Sequence, residues 1–395
     1  MNLFARDVPA QMQFRADQTI RLLLAALLGC FTVFYFWYGL PPGPLNDYGS
    51  FWASGKAANE GLNPYAVYDE TFRSRSSDIV HPNLNPPVSL LLFAPLARLD
   101  PHATLTVLWW GGLAVFAGIV ITTLRRRAQP DDLLLGAWAF ALPALWDGLR
   151  LGQVYVLLFA GAALVWYLLE RERTLAAAVA IGCLAAFKPN LLLWPVLLFV
   201  AGHRRMAIVA VLTFAAVSAL PMLFFGPGVY LQWLELIRGD VADRSGFFSN
   251  VTVVAIGVRA GSHLLGGILA AAVLIWAAAL LYRTRASALQ ASAVAVGVAV
   301  LVSPVAWFHY LMLLLPALLR RRWTAGMVVG AAIIVMPTIG PFWVFKVLPL
   351  SYPEMTEIIH ATAGSWYAWG ALLLVVSMAR SGAAVRRNPA ESGLR

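Results

Sequence analysis

Charge is what this sequence has least of. Only 12% of its 395 residues are Asp, Glu, Lys or Arg, and 60% are hydrophobic. A soluble globule carries roughly 25% charged residues, so a water-facing surface cannot be built from this composition. Cysteine is nearly absent. Cys30 and Cys183 lie in separate apolar runs, which speaks against a disulfide framework or a thiolate metal site and fits small buried apolar residues. The chain has no P-loop, no H-E-x-x-H and no Cys/His cluster. The alternating apolar and polar residues of a membrane β-barrel are missing as well.

What is present is length after length of apolar sequence. Runs of about 18 to 25 apolar residues recur along the chain, which makes it an all-α polytopic membrane protein. Hydrocarbon offers the backbone no partners, so each run is expected to be helical. The pattern predicts about twelve transmembrane helices, at 20–40, 103–124, 131–147, 150–169, 174–188, 190–202, 206–225, 263–282, 287–304, 306–319, 323–339 and 362–380. The stretch 86–99 is too short to span and reads as a re-entrant or interfacial helix. The first run follows basic residues but has no small-x-small cleavage site after it, so it reads as a retained helix rather than a signal peptide.

The net charge of +10 is not an invitation to nucleic acid. The basic residues sit in short clusters between apolar runs, among them Arg125-Arg126-Arg127, Arg204-Arg205, Arg320-Arg321-Arg322 and Arg386-Arg387. That is a topology signal, and no nucleic-acid-binding signature accompanies it. With both termini cytoplasmic, about two thirds of the Lys and Arg fall on the inner side, as the positive-inside rule asks. The long connections 41–102, 226–262 and 340–361 then fall on the outer face. Amphipathic stretches at 48–60 and 229–238 read as helices lying along that surface. The whole chain, 1–395, reads as one integral-membrane domain without an internal repeat.

Ionisable groups close to hydrocarbon are expensive and usually functional. Here they gather at the outer ends of helices. Asp47 follows the first span. "DGLRLGQVY" carries Asp147, Arg150, Gln153 and Tyr155; "FKPN" carries Lys188 and Asn190; "SPVAWFHY" carries Ser303, Trp307, His309 and Tyr310. The helices that begin near Gln153, Pro189 and Pro304 point their N-termini outward. Free amides and the positive dipole end favour an anion there. With Lys188, His309 and Arg150 added, the outer face is suited to a phosphate. Gln153, Tyr155, Asn190, Trp307 and Tyr310 are candidate substrate contacts. Each also has a plainer reading. Asp47 could cap the helix that follows it, His309 could be a satisfied interior histidine, Gln153 could be interhelical glue, and Trp307 could belong to an interfacial aromatic belt.

In order and spacing, the Asp after the first helix, "FWASGKAANEGLNPY", "NPPVSLLLFAPLARLD", "LGQVYVLLFAGAALV", "AAFKPNLLLWPVLLFV" and "LVSPVAWFHYLMLLLP" resemble glycosyltransferase family 87 over roughly residues 40 to 320. The resemblance implies a GT-C-type glycosyltransferase fold with extracytoplasmic interfacial helices in a bacterial inner (plasma) membrane. It implies an extracytoplasmic active site and a polyprenyl-phosphate sugar donor, most often carrying mannose. It also makes Asp47 the catalytic base. Family members often have Asn after G-Q-V and a second His after the first. Tyr155 and Tyr310 occupy those places here, which leaves the sugar and the acceptor open.

The expected reaction is inverting transfer of a hexose, most simply mannose, from polyprenyl phosphate to a hydroxyl of a lipid or glycan acceptor. The partners expected are therefore membrane lipids, the donor and the acceptor. The outer loops hold no D-x-D. A nucleotide-sugar enzyme would usually want such a carboxylate pair for Mg²⁺, whereas a single phosphate on a lipid does not, so neither a cofactor nor a metal is expected. The rival reading is a transporter or flippase for a lipid-linked or anionic solute, which predicts polar groups at the bilayer midplane and access from both faces. A scaffold without chemistry leaves the convergence of four polar regions unexplained.

Overall fold

The computed structural model describes residues 10–41, 44–73 and 80–387, with side chains except at 10–17, 239–243 and 381–387. The extreme termini expected on the cytoplasmic side lie outside the described residues.

Helix α1 (Ala10–Gly39) is followed by α2 (Asn46–Asn59) and a two-stranded antiparallel ribbon, β1 (Phe72–Arg73) with β2 (Val80–His81). A 3-10 turn at Pro87–Ser89 runs into α3 (Leu90–Leu96). The long helix α4 (Pro101–Arg127) starts with Asp100 accepting a hydrogen bond from the Ala103 N–H, a side-chain N-cap, and Pro101 at the first position, where its missing N–H is harmless. It ends on three arginines, whose charge suits the negative end of the helix. Next come α5 (Asp132–Ala141) and α6 (Pro143–Arg150), a single stretch broken at Leu142-Pro143. They are followed by α7 (Tyr155–Glu170), α8 (Thr174–Phe187), α9 (Leu193–Val200) and α10 (Arg204–Phe225). Beyond these lie α11 (Gly228–Arg244), α12 (Val253–Arg259), α13 (His263–Thr284) and α14 (Ala288–Leu301). Short helices then lead to the last long one, Trp366–Arg387.

Six helices among the described residues are long and apolar enough to cross a membrane: Gln18–Gly39, Pro101–Arg127, Asp132–Arg150, Arg204–Phe225, His263–Thr284 and Pro353–Arg380. A seventh is reached if Ala325–Ile334 and Ile339–Ser351, bent by 73°, count as one broken span. The chain is thus a multi-pass helical membrane protein. The other five segments expected to span fall on apolar helices of only 10–17 residues. Apolarity alone does not separate lipid-facing from protein-facing helices. Every residue of α14 from Ala291 to Leu301 is buried inside the protein, while α10 and α13 present much of their length outward. A helix wrapped by its neighbours need not match the bilayer thickness by itself. Among the described residues, six of the twelve expected segments are therefore of full spanning length, or seven with the bent pair.

The stretch 86–99 forms the short 3-10/α3 unit, well under a span in length. The expected surface helix at 48–60 is α2, which is packed rather than laid open. Tyr48, Phe51, Ala53, Gly55 and Ala57 are buried, and Lys56 points out. Gly55 allows this, because a Cβ there would collide with the Phe93 carbonyl of α3. Tyr48 closes the other side by donating to Thr104 Oγ1 of α4 at 2.6 Å.

Candidate active site

Where α2 meets the start of α7, the 3-10 turn Pro189–Leu192 and the 3-10 helix Phe308–Leu314, the fold forms a cavity of about 630 Å³. Asp47, Gln153, Tyr155, Lys188, Asn190, Trp307, His309 and Tyr310 all line it. Eight of the nine residues given a candidate role from the sequence are thus brought to one place from four regions of the chain, with Asp147 and Ser303 beside them.

Asp47 sits in the first turn of α2 but does not cap it. The N-cap position is Leu45, with no side-chain cap bond. Asp47 Oδ2 instead accepts a hydrogen bond of 2.5 Å from Gln153 Nε2. Burial pushes its carboxyl from an ordinary 3.8 up to about 6. The Gln153 hydrogen bond opposes that rise, nearby Asp147 adds to it, and Arg244 and Arg150 oppose it. The side chain is half-buried because it opens on the cavity. At neutral pH Asp47 is an anion with a stronger pull on protons than an exposed carboxylate has.

Lys188 ends α8, between Phe187 and Pro189. Its Nζ donates to Asn85 Oδ1 at 2.7 Å. It also lies over the rings of Tyr155 and Tyr310, 5.0 and 5.6 Å from their centroids. Asn85 is held in turn, since its N–H and side-chain amide both donate to Asn83 Oδ1 and its carbonyl accepts from Tyr65. An ammonium has three donors. One is used on Asn85 and the ring faces hold the rest in place, so donors remain for an anion in the cavity.

His309 is 2% exposed. Its ring packs on Tyr155 with centroids 4.3 Å apart, and its Nδ1 is 3.6 Å from Asp147 Oδ2. That distance exceeds a hydrogen bond and becomes an ion pair when the imidazole is protonated. The other Asp147 oxygen pairs with Arg150 Nη2 at 3.1 Å. Arg150 is the exception among the expected site residues. Its guanidinium lies over Tyr38, 5.3 Å from the ring centroid, and lines a separate cavity of about 210 Å³. Asp147 claims it one helical turn away, so the phosphate contact expected of Arg150 is not carried forward.

The sequence reading gave no role to Asn85, His81 or Arg244, and Asp147 appeared there only as a conspicuous charge. Arg244, the last residue of α11, donates to His81 Nδ1 at 2.8 Å and to the Val80 carbonyl at 2.9 Å, and both side chains line the cavity. Burial and the Arg244 charge push His81 down to about 4, which leaves it neutral at pH 7. Polar residues in a long connection between apolar runs look unremarkable in sequence, and only the fold turns these inward.

The far wall is built by the segment after α11. The Val251 N–H donates to the Ala306 carbonyl at 2.8 Å and the Phe308 N–H to the Ser249 carbonyl at 2.9 Å. This pins Phe247, Phe248 and Ser249 against the S-P-V-A-W turn. Arg259, 5% exposed, ties the same loop down through the carbonyls of Gly246, Phe247 and Asn250. Phe72, Leu84, Trp233 and Ile237 line the cavity as well, so apolar side chains make up much of its wall beside the charged ones. A lining that combines charged groups with many apolar side chains suits an amphipathic ligand.

Compared with known proteins, the profile of glycosyltransferase family 87 matches residues 83–304, more than half of the chain. Asp47 lies before the matched segment, so its assignment rests on its geometry. No curated protein and no solved structure matches.

Proposed function

The chain belongs to glycosyltransferase family 87, and from that premise we propose that it is an inverting enzyme that takes its sugar from a polyprenyl-phosphate donor. The observation that carries this reading is the pairing within one cavity of a carboxylate held by Gln153, Asp47, with Lys188, beside aromatic and aliphatic side chains.

In this reading the polyprenyl chain lies along Trp233, Ile237, Phe247 and Phe248. Its phosphate is met by Lys188, with Arg244 adding positive charge nearby and His309 offering a ring N–H. The acceptor hydroxyl gives its proton to Asp47 as its oxygen attacks the anomeric carbon. The bond from that carbon to the phosphate oxygen breaks, and the polyprenyl phosphate leaves as an anion. One base and one in-line displacement produce inversion, as in single-displacement glycosidases. Preorganised cations act most on the charge that develops on the leaving phosphate. The proposed transfer uses no metal or cofactor. The site faces the extracytoplasmic side of a bacterial plasma membrane, in keeping with the distribution of Lys and Arg.

Mannose is the proposed sugar and a lipid or glycan hydroxyl the proposed acceptor. The test is to incubate purified protein with polyprenyl-phosphate mannose, with a second polyprenyl-phosphate sugar and with a nucleotide sugar, each with a membrane lipid extract, and to identify products by mass spectrometry. Product from the polyprenyl-phosphate donors alone supports the reading. Product from the nucleotide sugar alone refutes it.

A further inference from the structure

Gln153 faces the same cavity as the groups proposed to meet the donor, and its first reading is a substrate contact. Its geometry points elsewhere. Its amide nitrogen is committed to Asp47 Oδ2 at 2.5 Å, across a separation of 106 residues. The turn that carries it grips the residues on both sides of Asp47. The Arg150 carbonyl accepts from Asn46 Nδ2 at 3.3 Å, and the Leu151 carbonyl accepts from the Tyr48 N–H at 3.0 Å. Gly152 has a left-handed φ of +65°, and a Cβ there would stand 2.5 Å from Tyr48 Cβ. Asn46 is itself left-handed, with φ +48°, a conformation Asn tolerates better than most residues and one its side chain stabilises by donating to the Pro44 carbonyl at 3.0 Å. Residues 46–48 are therefore docked on 150–153 through backbone, glycine and side chain together. A loose substrate ligand would need none of this.

We infer that Gln153 is a positioning residue for the base: it locks the rotation of the Asp47 carboxylate so that Oδ1 is presented to the acceptor hydroxyl. The inference rests on Asp47 being the base. Among the described residues Oδ1 has no hydrogen-bond partner, so the fixed Oδ2 and the open Oδ1 have separate roles. The same bond also restrains the carboxylate's proton affinity, since a donor to the charged form favours that form. Asp147, Arg244, Arg150 and Lys188 also bear on this carboxylate. Removing the Gln153 donor leaves burial and Asp147 less opposed, so a larger fraction of Asp47 is protonated, and inactive, at mildly acid pH.

The test uses purified full-length protein, polyprenyl-phosphate mannose as donor and a membrane lipid extract at fixed concentration as acceptor, with kcat and donor KM followed from pH 5 to 8.5. Gln153→Met has nearly the same length and no N–H. It should lower kcat at pH 6 by at least about tenfold, move the acid limb up by about one pH unit, and leave donor KM within about twofold. A raised donor KM with an unmoved acid limb makes Gln153 a substrate ligand and overturns the inference. Gln153→Glu keeps the volume if the methionine variant does not fold. It sets a second carboxylate against Asp47, so the limb should move up further; an unmoved limb there also overturns the inference. Asp47→Asn separates the two layers. If it retains turnover, the base assignment and this inference fall together. If it is inactive while Gln153→Met behaves like the unaltered enzyme, only the inference about Gln153 falls.

Discussion

Replacing Asp47 by Asn should abolish transfer and make the protein more stable. Burial lifts the Asp47 carboxyl from 3.8 to about 6. A shift of about two units corresponds to about 3 kcal/mol. Asp47 is only half-buried, which tempers this, so about 1–2 kcal/mol is the working figure. The sign follows from linkage. A carboxyl whose folded value is raised contributes its full stability below about pH 4, where it is protonated in both states. That contribution is lost as pH rises through 6, where the buried group must ionise. Asparagine keeps the shape, can still accept from Gln153 and never ionises. The variant should therefore melt a few degrees higher than the unaltered protein at pH 7.5, and the gap should close towards pH 4. The assay is thermal unfolding in detergent, followed by the fluorescence of the 15 tryptophans, beside a transfer assay on the same samples. A variant that is less stable at pH 7.5, or whose difference does not change with pH, refutes the electrostatic account of the site. Retained turnover refutes the catalytic one.

Other substitutions test the rest of the site. Lys188→Ala removes a charge-assisted contact worth about 1.5–3 kcal/mol, so donor KM should rise about tenfold to a hundredfold, read from initial rates against donor concentration. Arg150→Gln should leave donor KM within about twofold, because the guanidinium lies with Tyr38 outside the main cavity; a large rise in KM would restore it as a phosphate ligand. Gly152→Ala forces a Cβ into a left-handed backbone and against Tyr48. Its melting temperature should fall by an amount corresponding to about 2 kcal/mol or more, with turnover falling alongside, as measured by unfolding and initial rates.

Much of the candidate site was legible because hydrocarbon makes polar residues conspicuous. Lys188 between Phe187 and Pro189, and His309 within an apolar run, stand out for what surrounds them. Helix positions were equally legible, since apolar periodicity survives whichever side a helix faces. The distinction between α14, packed within the protein, and α10, largely outward-facing, was not, because both are simply apolar. Arg150 misled for a local reason: Asp147, three residues before it, binds its guanidinium on the same helix face. Asn85, His81 and Arg244 were missed because they sit in the long connections between apolar runs, where polar residues are expected and their inward direction depends on contacts between distant segments. The bond between Asp47 and Gln153 is of the same kind. Nothing local in "LNDYGSFW" or "LGQVY" fixes that pairing; the docking of α2 on the turn before α7 does.

The measurement that bears most directly on the central claim is the stereochemistry of a single transfer. Purified protein is given a polyprenyl-phosphate mannose of known anomeric configuration with a lipid extract, and the new linkage is assigned by NMR for the unaltered protein and for Asp47→Asn. The account predicts a product of inverted configuration from the former and no product from the latter. A retained configuration, or product formed by the Asp47→Asn protein, would contradict it.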